Sequence, residues 1–154
     1  DYLRFAKLLG LDLKKNRYAF PKNLKESHDE LEKQYEINNK KIINLAIVKR
    51  SNELLKNTFN DRKFIVLPAT SIKDLQNESS QQNNCVRTYA EKYAEGFCDI
   101  YFMRLIKDIN HSLVTVEVRE NKVVQKRTKN NAATTNSQNI FLKKWENQIL
   151  NKNG

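Results

Sequence analysis

Apolar residues recur at helical spacing early in the chain and at strand spacing later. Leu3, Ala6, Leu8 and Leu9 predict a short helix over residues 1–11, with Gly10 as its stop. A connector closed by Pro21 follows. Asn23 is a suitable N-cap, with Glu26 three residues later as in a capping box. The helix it opens is expected to reach about Phe59, carried by Leu24, Leu31, Tyr35, Ile42, Leu45, Ala46 and Leu54. Asn38-Asn39 is its weak point. The heptad is imperfect, so this stripe is expected to pack on a core rather than form a coiled coil.

Beyond a turn at Asn60-Asp61-Arg62 the period shortens. Residues 63–67 read as a strand ended by Pro68. Ser71 caps a short helix to about Glu78, and residues 79–84 read as a polar loop. Val86, Tyr89, Ala90 and Tyr93 share a helical face that Gly96 ends. Residues 98–105, 112–118 and 122–127 alternate as strands, the last two joined by a tight turn at Glu120-Asn121. A polar stretch, 128–137, precedes a helix capped by Ser137 with the stripe Ile140, Phe141, Trp145 and Ile149. The predicted class is α+β. An antiparallel sheet of about four strands, including a three-strand meander, carries helices on one face and follows a long N-terminal helix. Residues 1–62 form the helical region and residues 63–154 the α+β core.

Composition sharpens this picture. Of 154 residues, 30% are charged and 39% hydrophobic, as in a globular domain of one core. Only 3 Gly and 2 Pro favour long regular elements. No apolar run nears the roughly 20 residues that span a bilayer, so no membrane insertion is expected and a cytoplasmic location is. The chain opens at Asp1 without an initiator Met or a signal-peptide pattern, as expected of a fragment or trimmed chain. Cys85 and Cys98 lack metal-ligand spacing and read as small buried hydrophobes in a reducing compartment. With His28 and His111 as the other soft ligands, neither metal nor cofactor is expected.

Net charge is +10, with pI near 9.6, which favours anionic partners, nucleic acid first. The excess is even: residues 1–62 and 63–154 each carry 14 basic and 9 acidic side chains. A local exception is the predicted hairpin, where Arg119, Lys122, Lys126, Arg127 and Lys129 face Glu120 alone.

Several residues in this second part carry candidate chemistry. Arg104 interrupts an apolar strand and needs an acceptor if buried. Glu117, on the neighbouring strand, is the expected partner. The pair reads either as a structural ion pair or as an anion clamp built on Arg104. Glu117 and Gln125 suit acid–base or substrate-orienting work. A two-residue turn sets Gln125 opposite Val116, on the face away from Glu117; a longer turn brings both to one face. Cys85 begins a helix, where a thiolate is favoured, and His111 is the candidate base. A packed, structural Cys85 is nonetheless the preferred reading. Gly-rich phosphate loop, GxSxG, HExxH and EF-hand patterns are all missing.

Taken in order, Glu78, Cys85-Val86, Tyr89, Gly96, Arg104, Thr115 with Glu117, Gln125, Asn131 and Trp145 form a pattern. It resembles the PcfJ-like family of bacterial conjugative plasmids, phages and other mobile elements, over about residues 63–150. The family's histidine before the cysteine is Asn84 here, and the glycine common after Arg127 is Thr128. The resemblance implies a setting in DNA transfer, and it adds Asn131 to the binding candidates beside Arg104. Three functions follow. The leading one is a nucleic-acid-associated accessory module using the basic hairpin. The alternatives are an enzyme acting on a nucleotide or nucleic acid through Arg104, Glu117 and Gln125, and a protein-binding inhibitor or scaffold using the long helix.

Overall fold

The structure, a computed structural model, describes residues 2–11 and 24–153. The expected connector and the Asn23 cap lie outside these residues. The chain divides into two compact units, Asp1–Ile42 and Ile43–Gly154. In the first, helix α1 (Tyr2–Leu8) is closed by Gly10 at φ +73°, where a left-handed residue is needed. Helix α2 (Leu24–Leu54) begins there and runs without a break through Asn38-Asn39. The i,i+4 bond from Gln34 to Glu30 supports it locally.

The second unit contains the sheet. The last turns of α2 tighten into a 3-10 turn, Leu55–Asn57. There follow β1 (Phe59–Asn60), β2 (Phe64–Pro68), helix α3 (Ile72–Gln82), a 3-10 turn (Val86–Tyr89) and α4 (Ala90–Glu95). Next come β3 (Asp99–Leu105), β4 (Val114–Arg119), β5 (Lys122–Arg127) and α5 (Asn136–Trp145), which widens into a π-turn at Glu146–Leu150. All five strands pair antiparallel in chain order. The sheet therefore has one strand more than expected. Phe59 and Asn60, assigned to the helix end and a turn, pair with Val66 and Ile65. Two residues are too few to show a period.

Register separates the two faces. One carries Val66, Tyr101, Met103, Val114, Val116 and Val118, all buried. Trp145 stands edge-on to Tyr101 at 4.8 Å, and Phe141 lies 5.5 Å from Phe64 and from Phe59. The Trp145 indole donates to the Asn57 carbonyl at 2.7 Å, and the Asn57 amide donates to the Tyr101 hydroxyl at 2.9 Å. The same face takes the end of α2, tied by Arg50 to Asp99 at 2.8 Å. Its buried positions are Ile47, Ser51 and Leu54, while Leu45 is exposed, so the stripe is rotated from the expected one. The Arg50 bond and the acceptance of the Ile72 N–H by Asn44 fix that rotation.

The opposite face presents Ile65, Arg104, Ile100, Phe102, Thr115 and Glu117. Helix α3 packs here, so helices cover both faces rather than one. Ser71 caps α3 as expected, accepting from the Asp74 N–H, but the helix continues past Glu78 to Gln82. Its polar end is helical because Glu78, Ser79 and Gln82 are buried against the sheet side. Asn83, left-handed at φ 52°, ends it. Gly96, left-handed at φ 82°, ends α4. The cap of α5 is Thr135, not Ser137: its hydroxyl accepts from the Gln138 N–H, and the Gln138 side chain accepts from the Thr135 N–H.

Trp145 joins the sheet, α5 and the end of α2 at one point. Trp145→Ala is expected to cost about 3–5 kcal/mol in urea denaturation. Trp145→Phe, which keeps most of the ring and orphans the buried Asn57 carbonyl, is expected to cost about 1–3 kcal/mol. Equal costs for the two would show that the indole N–H, not its bulk, sets the joint.

Candidate functional site

The β4–β5 hairpin turns through Glu120 and Asn121, at φ 51° and 62°, the two-residue geometry that matches strand twist. Arg119 pairs with Lys122 and Val118 with Val123. The register then shifts: Glu117 pairs with Gln125, and Thr115 with Arg127. Val124 is the extra residue of a β-bulge. The turn is thus the short one, yet Glu117 and Gln125 share a face. Bulge and turn together do what a longer turn was expected to do.

That face is the floor of an open, shallow cleft, about 410 Å³ when the solvent at its mouth is counted. Ile100, Thr115, Glu117, Gln125 and Arg127 form the floor. Asn84, Cys85, Val86 and Tyr89 form the wall leading out of α3, and Asn131 stands at the lip. Asn131 is placed by two successive left-handed residues, Asn130 and Asn131, at φ 60° and 59°. Asn83 donates to Asn130 at 2.9 Å, which ties the lip to the end of α3.

Beneath the wall lies Glu78, whose side chain is fully buried. Arg104 donates to it twice, at 3.2 and 2.5 Å. Thr115 donates at 2.9 Å and Ser112 at 3.1 Å. The Arg104 guanidinium also lies 4.8 Å from the Phe102 ring centre. The expected Arg104–Glu117 pair does not form, and register gives the reason. Glu117 stands opposite Ile100, four residues along β3 from Arg104, or about 13 Å. Arg104 is accordingly not part of the cleft lining.

Glu117 pairs instead with Arg119, whose Nε donates to Oε2 at 2.7 Å. Glu117 is 7% exposed. Burial, reinforced by the Glu117 charge, holds the Tyr89 phenol above its ordinary pKa, so its hydroxyl keeps its proton. Asn84, in place of the family's histidine, donates to Thr115 at 3.3 Å and accepts from the Val86 N–H at 3.1 Å. It holds the wall to the floor.

The two cysteines differ from expectation and from each other. Cys85 is exposed and lines the cleft, so it is not the packed thiol that was expected. Its neighbour Val86 takes the buried position, because the 3-10 turn turns Cys85 outward. Cys98 is buried, and burial, with the Glu117 charge next, pushes its thiol up to about 11. His111, the candidate base, is bonded to Asp108 at 2.5 Å on the exposed turn after β3 and is not in the cleft lining. Among the predicted hairpin cations, Arg119, Lys122, Arg127 and Lys129 are exposed and Lys126 is half-buried. In the first unit, His28, Asp29 and Glu32 bring three ligand atoms within 4.8 Å of one another, a spacing that neighbouring helix positions produce by themselves.

The residue that sequence reasoning undervalued is Glu78. The signal was its helical spacing with Leu75 and Gln82, which puts a carboxylate on a buried stripe. Glu78→Ala is expected to cost about 3–5 kcal/mol, because it strands a buried Arg104 charge. Glu78→Met combined with Arg104→Met is expected to recover a large part of that loss in urea melts. A double variant no more stable than Glu78→Ala would refute the pairing. For the thiols, iodoacetamide at pH 8 is expected to modify Cys85 in the native protein and Cys98 only after unfolding, read by peptide mass spectrometry.

A family model described as PcfJ-like protein matches residues 1–141, which includes the N-terminal helices that the resemblance had left out. The uncharacterized protein Lin1253/Lin1744 of Listeria innocua serovar 6a (strain ATCC BAA-680 / CLIP 11262) is 26% identical over 166 residues. That alignment takes in 99% of this chain and 34% of the relative, so the chain spans about a third of that protein's length. No solved structure matches. With the family model covering all but the last residues, the chain belongs to the PcfJ-like protein family.

Proposed function

We propose that the chain is a nucleic-acid-associated module of a bacterial mobile element, with the β4–β5 hairpin as its phosphate-contacting surface. One observation carries this reading. Lys122, Lys126, Arg127 and Lys129 lie on one hairpin and the turn that follows it, and none has a carboxylate partner among the described residues. Arg119 alone is paired, with Glu117, and its side chain is still half-exposed. Unpaired cations on a fixed strand edge suit a regularly spaced polyanion. The edge position helps: β5 has a neighbour on one side only, so its side chains are open to a long ligand. The family's mobile-element setting supplies the biological side of the proposal.

A second reading is an enzyme acting on a nucleotide or nucleic acid. The shared face of Glu117 and Gln125 in the cleft favours it. Without Arg104 in the lining, Arg127 is the cation available to an anionic substrate there. Turnover of a nucleotide or oligonucleotide, lost in Glu117→Gln, would move this reading to the front.

The test of the first reading is salt dependence. Lys126→Gln with Arg127→Gln is expected to weaken duplex DNA binding. It should also flatten the log–log salt slope by roughly 0.9 for each phosphate that is no longer neutralised. Fluorescence anisotropy across a salt series measures both. Unchanged affinity and slope would remove the hairpin from the interface.

A further inference from the structure

We propose that the cleft receives a single unstacked nucleobase that carries an exocyclic amino group, presented by single-stranded DNA or RNA. The inference rests on the nucleic-acid reading and adds what the floor of the cleft recognises.

Glu117 sets the chemistry of that floor. It is more than nine-tenths buried, and its Oε2 is committed to Arg119. Its Oε1 makes no hydrogen bond among the described residues, although Glu117 lines the cleft. A carboxylate oxygen in that position is an acceptor open to a donor that enters the cleft. It disfavours phosphate at the same point, because two anions would share a half-enclosed space. The group that meets Glu117 is therefore uncharged or cationic and carries an N–H.

Gln125 and Asn131 narrow the choice. Neither side-chain amide makes a hydrogen bond among the described residues, and both line the cleft. Each offers a donor and an acceptor in one plane, the pattern that pairs with the edge of a base. Val86, Ile100 and the Tyr89 ring supply the apolar surfaces that a flat ring covers when it leaves a stack. Arg127 borders the same floor, and Lys122 and Lys129 lie exposed on the hairpin and on the turn after it, cations along which a phosphodiester backbone would run.

A duplex cannot use this arrangement, because its base edges are already paired and its bases stacked. A single strand can turn one base inward while its phosphates stay on the hairpin. Cytosine and uracil isolate the chemistry. They are alike in size and differ where an amino donor is replaced by a carbonyl acceptor. The donor satisfies Glu117 Oε1, and the carbonyl opposes it.

The test measures anisotropy of fluorescent oligo-dC, oligo-dU and their ribose counterparts, all of one length, beside a duplex control at fixed salt. The cytosine strands are expected to bind about tenfold tighter than the uracil strands, on either sugar. Glu117→Gln, which replaces the acceptor with an amide able to donate, is expected to erase that ratio. Gln125→Ala, at an exposed position with no structural bond among the described residues, is expected to weaken cytosine binding toward the uracil level. Circular dichroism checks that both variants fold. Lys122→Gln with Lys126→Gln is expected to weaken both strands equally and leave the ratio intact. Equal binding of cytosine, uracil and duplex would overturn the base pocket while leaving the hairpin reading in place. No binding to any of them at low salt would overturn both.

Discussion

The sheet face that carries the cleft depends on how α3 is held, and a buried ion pair holds it. Glu78 and Arg104 are both withdrawn from water, which costs several kcal/mol per ion before their attraction is counted. The structure offsets that cost by giving the carboxylate four bonds: two from Arg104 and one each from Ser112 and Thr115. An apolar pair of similar volume could hold the helix as firmly. The ionic one fixes the axial and rotational setting of α3, and with it Asn83, Asn84 and the cleft wall. Arg104 thus serves the cleft from beneath rather than from within.

Much of this architecture was legible in the sequence, for reasons that differ by element. The meander alternates over six or seven residues per strand, and Glu120-Asn121 and Gly96 mark turns that tolerate a left-handed backbone. Such local signals survive without knowledge of the partner. The edge strand Phe59–Asn60 had no period to show. The end of α3 was misread because Ser79 and Gln82 are polar, and a polar run resembles a loop until a distant surface buries it. The rotation of α2 was misjudged because Leu45 and Ile47 are equally apolar, and only Arg50 meeting Asp99 decides between them.

The site divides in the same way. Glu117, Gln125 and Asn131 were readable as chemistry-bearing side chains, and the cleft brings them together. Their relative faces were not readable, because a bulge is a difference in length between two strands rather than a property of either. The partner of Arg104 was misassigned on sequence nearness between strands, whereas the acceptor came from a helix 26 residues earlier. Cys85 and Cys98 are the same residue type at similar apolar sites in the sequence. One faces the cleft and one the interior, a choice made by the 3-10 turn and the strand start.

The bulge at Val124 has a consequence for how relatives are compared. Along a strand, side chains alternate, so the face a residue occupies is a matter of parity. Seven residues separate Glu117 from Gln125, of which two form the turn and one is surplus to the ladder. A relative with six between them and the same two-residue turn needs no bulge, and its glutamine falls directly opposite the glutamate on the same face; one with seven but no bulge sets its glutamine opposite the preceding residue, on the far face. A relative with the same spacing keeps the floor only where it also keeps the bulge. In this hairpin the site is preserved by a count taken together with a bulge, and an alignment that slides a gap through the stretch to gain identities hides whether the two still match.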